Sequence, residues 1–186
     1  ITMSNTSDME VGHPVRYGVS GTTYYGIVRA VTANTSINVA GPELSSGVTA
    51  SALAVGTPEM VHIERIFISG AYGDGVNDLI SNDMKTYHRW LKRKAYLVDV
   101  EAAHNTAAAT TQPTVNVKIA GSTVLTNGSG ITLTTAGIFV QNPSSSINGT
   151  NYDINPTETI EVACTVAGNP TSGALNLTVF CYFVLS

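Results

Sequence analysis

The residues of this 186-residue chain whose chemistry goes beyond packing are four histidines, two cysteines and a short acid-rich loop. His13, His62, His88 and His104 are far apart, and no H-E-x-x-H or C-x-x-C pair brings metal ligands together. His62 and Glu64 fall on one face of a strand, but the C-x-x-C partner of a zinc deaminase is missing. Neither G-x-S-x-G, a P-loop nor G-x-G-x-x-G occurs. Cys164 and Cys181 have no sequence neighbour that would activate a thiolate; both lie in late strand-like segments, and the preferred reading is two buried, reduced thiols, with a disulfide between them as the alternative. Asp74, Asp78 and Asp83 with Asn77 and Asn82 crowd oxygens that suit Ca²⁺, yet the spacing is not an EF-hand and Gly73-Asp74-Gly75 is turn chemistry. The expectation is a protein that is not an enzyme and has no metal site and no cofactor.

One cluster stands out. Lys85, Arg89, Lys92, Arg93 and Lys94 are five of the nine basic residues, interleaved with Tyr87, His88 and Trp90. Such a cluster docks an acidic protein surface or stacks on single-stranded nucleic acid, and its plainest reading is a solvated helix end. The net charge of −4 and pI near 5.4 disfavour wrapping a polyanion, so nucleic acid is not the expected partner. Lys85, Arg89, Trp90, Lys92, Arg93 and Lys94 are therefore the candidate protein-docking patch.

The elements that must position these residues are mostly strands. Hydrophobic residues make up 43% of the chain, enough for a core, while charged residues are 12%, about half the usual share. The surface must then be Thr, Ser, Asn and Gly, which suits a β-protein or a surface covered by neighbours. Strand-like stretches at Val15–Val19, Tyr24–Ala33 and Ser36–Ala40 form a meander too small to be stable alone. Residues 41–58 turn to Gly, Ser, Ala, Thr and Pro and read as a linker or extended arm. A boundary near Thr57 divides a region 1–57 from a sandwich region 58–186.

In the second region Val61 and Ile63 share one parity and Ile66 and Ile68 the other, which predicts a bulge near Glu64-Arg65. Ile80, Met84, Tyr87 and Leu91 follow a helical period, with Asn77 or Asp78 as N-cap, and predict one short helix; an extended strand is the competing reading. Tyr96, Val98 and Val100 are expected on one strand face. Val115–Ile119 and Ile160–Val166 alternate cleanly. In the last strand Leu175 to Leu185 share a face, and Phe180, Tyr182 and Val184 make its opposite face apolar as well. A strand buried on both sides needs a cover, supplied by the N-terminal region or by another subunit, so Phe180, Tyr182 and Val184 are the candidate subunit interface. Seven or eight strands over about 130 residues imply a sandwich or barrel, with jelly-roll and immunoglobulin-like topology both open. The fold expected is all-β: a jelly-roll-like β-sandwich preceded by a small β meander and arm, with one short helix. The longest apolar run, Val179–Leu185, is far below the roughly 20 residues of a membrane helix. Ile1–Glu10 does not read as a signal peptide.

Both regions of the chain carry a resemblance. Gly12-His13-Pro14-Val15, followed by Gly26-Ile27-Val28-Arg29-Ala30-Val31, is similar to the small β-domains of tailed-bacteriophage head decoration proteins. Val115–Gly121, Thr159–Val166 and Leu175–Leu185 resemble the jelly-roll or sandwich modules of phage auxiliary capsid proteins. The resemblance implies a cement protein on the head exterior of a virion assembled in the host cytoplasm. It would clamp neighbouring copies of the major capsid protein, usually as a homotrimer. The alternative is a carbohydrate-binding sandwich of a phage fibre or secreted protein, for which Tyr24, Tyr25, Tyr87 and Trp90 are the candidate aromatics. A shell-forming jelly-roll coat protein would want a basic arm, which the N-terminus lacks.

Overall fold

The structure, a computed structural model, describes residues 1–2, 6–42, 44, 49–68, 84–103, 113–126, 130–133, 140–141, 147–165 and 177–186. These form an all-β protein, and among them the helical element is a single 3-10 turn, Pro58–Met60.

The N-terminal unit is one antiparallel sheet of β1 (Pro14–Val19), β2 (Thr22–Thr32), β3 (Ser36–Ala40) and β4 (Ser51–Val55), in the order β3-β2-β1-β4. Ser20 and Gly21 both take positive φ, the left-handed pair that a two-residue hairpin between twisted strands requires. Val15, Tyr17, Val19, Val28 and Ile37 form its own small core. The stretch read as a linker holds β4, which pairs with β1 through Val15↔Val55 and Arg16↔Ala54. Its small residues hid a strand because β4 is an edge strand with little to bury.

Past the turn at residues 58–60 the chain leaves that sheet and builds two others. One contains β5 (Val61–Ile68), β7 (Ala95–Ala103), β11 (Val140–Gln141), β12 (Asp153–Ile154) and β14 (Leu177–Leu185), along the path β11-β7-β14-β5 with β12 also on β7. The other contains β6 (Met84–Arg89), β8 (Thr114–Ile119), β9 (Ser122–Thr123), β10 (Ile131–Thr132) and β13 (Thr159–Thr165), along β10-β8-β13-β6 with β9 on β8. Val115, Val117, Ile160 and Val162 of one sheet meet Leu97, Val100, Val179 and Phe183 of the other in one buried cluster. The alternation of β8, β13 and β14 produces this sandwich directly, because period 2 in sequence is one face in a pleated strand.

Three local expectations change. Residues 84–89, placed in a helix, form β6 and pair with β13 from Met84↔Cys164 to Arg89↔Thr159. Thr86, His88 and Trp90 alternate with Lys85, Tyr87 and Arg89, and the free edge of β13 captures that period-2 pattern. The proposed N-cap, Asn77 or Asp78, lies outside the described residues. No bulge interrupts β5, which pairs residue for residue with β14 from Val184↔Val61 to Leu177↔Ile68. Ile63 turns outward instead and is exposed. The irregularity is in β7: Tyr182 pairs with Asp99 and Phe183 with Leu97, leaving Val98 as the extra residue. Val100 therefore faces the sandwich core, while Val98 faces the opposite side with Val184, and Tyr96 packs at the edge of both clusters.

Candidate docking surface

β6 is the edge strand that carries Lys85 and Arg89 of the basic cluster, and Lys92, Arg93 and Lys94 follow it before β7. Lys85, Tyr87 and Arg89 point away from the sandwich core, opposite Ala163, Glu161 and Thr159 of β13. Lys85 and Lys118 flank the Glu161 carboxylate, with Nζ to Oε1 separations of 3.9 and 3.6 Å. Tyr87 is 62% exposed, and Leu91, just past the strand, is 77% exposed. Arg89, Lys92 and Arg93 are exposed and have no carboxylate partner among the described residues. Lys94 is held apart from them by Asp153 at 3.1 Å, and that hydrogen bond raises its ammonium above the usual range.

Trp90 does not belong to the patch. It follows the inward parity of Thr86 and His88 and is fully buried. Its ring lies 4.7 Å from Phe183 and edge-on to His62, while its indole N–H donates to the Arg93 carbonyl at 2.8 Å. A ring locked this way seals the end of the core where the two sheets part. The interleaved aromatics thus split into an exposed Tyr87 and a structural Trp90, and Leu91 takes the place of the tryptophan. The parity of residues 85–91 contains that signal, which the helical spacing of Ile80, Met84, Tyr87 and Leu91 obscured.

The candidate subunit interface also divides. Val184 is buried against Ile27 and Val98, so the N-terminal sheet covers the outer face of β14 within the same chain. Tyr182 joins that junction: its hydroxyl donates to Glu101 at 2.5 Å, and the Arg29 guanidinium sits 4.9 Å over its ring. Burial pushes the Tyr182 phenol well up, and its hydrogen bond to Glu101 adds to this. Arg29 of β2 also donates to the buried Asp99 of β7, and Tyr25 stacks on Tyr96 with centroids 4.0 Å apart. Phe180 stays half-buried, with the Arg65 guanidinium 5.7 Å from its ring.

A second cluster links the sheet edges. His62 and Glu64 of β5 share a face, with Nε2 to Oε2 at 2.8 Å, and His88 of β6 approaches Oε1 of the same carboxylate at 3.2 Å. One carboxylate between two imidazoles fastens β5 to β6 across the opening between the sheets. Among the described residues no three His, Cys, Asp or Glu side chains are arranged to hold a metal ion. His13 lies beside Glu10 at 3.8 Å, away from this cluster. His104 and the acidic loop of Asp74, Asp78 and Asp83 lie outside the described residues. Cys164 and Cys181 are free, buried thiols on the inner faces of opposite sheets, and burial pushes both up to about 12. A mainly apolar cleft of about 270 Å³ lies at the junction of the two units, lined by Pro14, Val15, Tyr25, Val55, Met60 and Val184 with Arg16 beside them.

No protein-family model matches the chain, and no curated protein matches its sequence. Among solved structures it is similar to one described as "Structure of infectious bursal disease virus Gx strain", at 10% identity and a TM-score of 0.27. That match covers 92% of this chain, which spans about half (53%) of the matched one. A likeness this loose identifies neither family nor activity.

Proposed function

We propose that this chain is a virion structural protein: a decoration or cement protein that binds the outside of a phage head and clamps neighbouring coat subunits as a homotrimer. One observation carries the reading. The two segments that resemble head decoration proteins are cross-strand partners, with Pro14 opposite Ile27 and Val15 opposite Gly26, in a small sheet docked on a sandwich. Gly12 and His13 complete the motif by exchanging backbone hydrogen bonds with Val28 at 2.8 and 2.9 Å. The low share of charged residues (12%) supports the same reading, since a surface destined for a lattice of neighbours loses less solvation when covered. Head-exterior location and assembly in the host cytoplasm follow from this role.

The carbohydrate-binding alternative needs a row of exposed aromatics. Tyr25 is stacked on Tyr96, Tyr24 lies against Tyr17 and Trp90 is buried, so Tyr87 alone of the four candidates projects into solvent. Sedimentation equilibrium over a wide concentration range tests the cement reading. It predicts a trimer that persists on dilution, because clamping by several weak contacts depends on linked copies. A strict monomer would overturn it.

A further inference from the structure

We propose that the ridge of Lys85, Tyr87, Arg89, Leu91, Lys92 and Arg93 binds an acidic protein segment that also presents an aliphatic side chain. The inference rests on the reading of the chain as a partner-binding structural protein, and it names the chemistry of the partner surface.

Residues 84–94 contain five Lys and Arg and no Asp or Glu, while the rest of the chain has four basic residues against all thirteen acidic ones. The ridge is thus a local positive field on a negatively charged molecule. Lys94 is paired with Asp153, and Lys85 shares Glu161 with Lys118, so Arg89, Lys92 and Arg93 supply the outward charge. Such charges cost stability if they face only each other, and they become favourable when carboxylates lie opposite them.

The apolar members decide between partner classes. Tyr87 projects from the middle of the ridge and Leu91 from its end, at 62% and 77% exposure. Tyr and Arg in one patch are the usual anchors of a protein interface, where an aromatic ring and a guanidinium fork share a desolvated contact. A nucleic acid would use stacked rings, but Trp90 is buried and His88 is committed to Glu64, which leaves one ring. A long polyphosphate would also feel the remainder of the molecule, four positive against thirteen negative charges, beyond the ridge. A short acidic protein segment meets the ridge alone, because solvent screening confines each charge to about 8 Å at physiological salt. Leu91 has no use in a phosphate site and fits an aliphatic side chain of a folded partner.

The test uses the full chain and two probes: a fluorescent Glu-rich peptide with interspersed Leu, and an oligothymidylate of equal length. The protein should bind the peptide more tightly than the oligonucleotide, with affinity falling as salt rises. The variant Arg89→Gln/Lys92→Gln/Arg93→Gln should lose about tenfold or more in peptide affinity, most of its salt dependence going with it. Leu91→Ser should weaken peptide binding several-fold while leaving the salt dependence intact. Unchanged Trp90 emission in each variant shows that the sandwich is folded. Absence of peptide binding, equal affinity of the triple variant, or tighter binding of oligothymidylate would each overturn the proposal. Sedimentation separates the two readings: a trimer that ignores the peptide sinks the ridge alone, and a monomer that binds it sinks the cement reading alone.

Discussion

Arg29 on β2 and Asp99 on β7, seventy positions apart, form the ion pair that joins the N-terminal sheet to the sandwich, with Nε donating to Oδ2 at 2.9 Å and Nη2 to the same oxygen. The Asp99 side chain is almost fully buried and also accepts from the Val100 N–H at 2.8 Å. Around the pair, Ile27, Val98 and Val184 close an apolar contact and Tyr25 stacks on Tyr96. The two units are therefore held by a desolvated charge set inside an apolar rim.

Removing one partner of such a pair leaves the other charge buried and uncompensated. Arg29→Ala should destabilise the protein by about 3 kcal/mol, measured by urea unfolding. Arg29→Met, which keeps an aliphatic stem but loses the guanidinium that lies over Tyr182, should cost nearly as much. A loss below about 0.5 kcal/mol, the scale of an exposed pair, would show that the junction does not depend on this contact.

The same carboxyl gives a pH dependence. Burial lifts Asp99 above its ordinary value, against the opposing pull of Arg29. The native state then holds that proton more tightly than the unfolded chain does. The contribution of Asp99 to stability is greatest in acid and declines as pH rises from the unfolded value near about 3.9 through the raised native one. Unfolding free energies of Asp99→Asn and the native protein, compared from acid to neutral pH, should shift in favour of the variant as pH rises. A constant difference would contradict the assignment.

Trp90 is the single tryptophan and is sealed between His62 and Phe183, so native emission should be blue-shifted and resistant to acrylamide. Trp90→Ala should cost about 3–5 kcal/mol by leaving a void at the end of the core. Emission near that of free tryptophan would return residues 84–94 to an exposed helix.

Gly26 faces the adjacent strand so closely that a Cβ would lie 2.5 Å from the Ala40 carbonyl oxygen, and nearer still to Val39 Cγ1. Gly26→Ala should lower stability by about 1–3 kcal/mol, because backbone must move to admit the methyl. The cysteines offer a control on the core: with both thiols pushed up to about 12 by burial, native protein should resist a disulfide reagent and react at two sites once unfolded.

The sandwich was legible where alternation is strict. Val115–Ile119, Ile160–Cys164 and Val179–Phe183 announce their inward faces, and the structure pairs them as the centre of each sheet. Legibility failed where a residue's fate depends on its neighbour. The outer face of β14 called for a cover, but sequence could not choose between the chain's own β2 and a second subunit; for Val184 and Tyr182 it is β2. Residues 84–91 fit a helical and a strand period at once, and the exposed edge of β13 decided between them. The bulge moved from β5 to β7 because a change of hydrophobic parity is met as well by an outward Ile63 as by an extra residue. Of the candidate site, the basic residues were found by composition, whereas Leu91 in place of Trp90 required the strand assignment.

Co-sedimentation of the purified protein with isolated phage heads that lack their outer decoration puts the cement reading to its sharpest test. Saturable binding at a fixed ratio to coat subunits, with a gain in the temperature at which heads rupture, is the predicted result. Heads that neither retain the protein nor gain stability, with the protein folded by its Trp90 emission, would contradict the account.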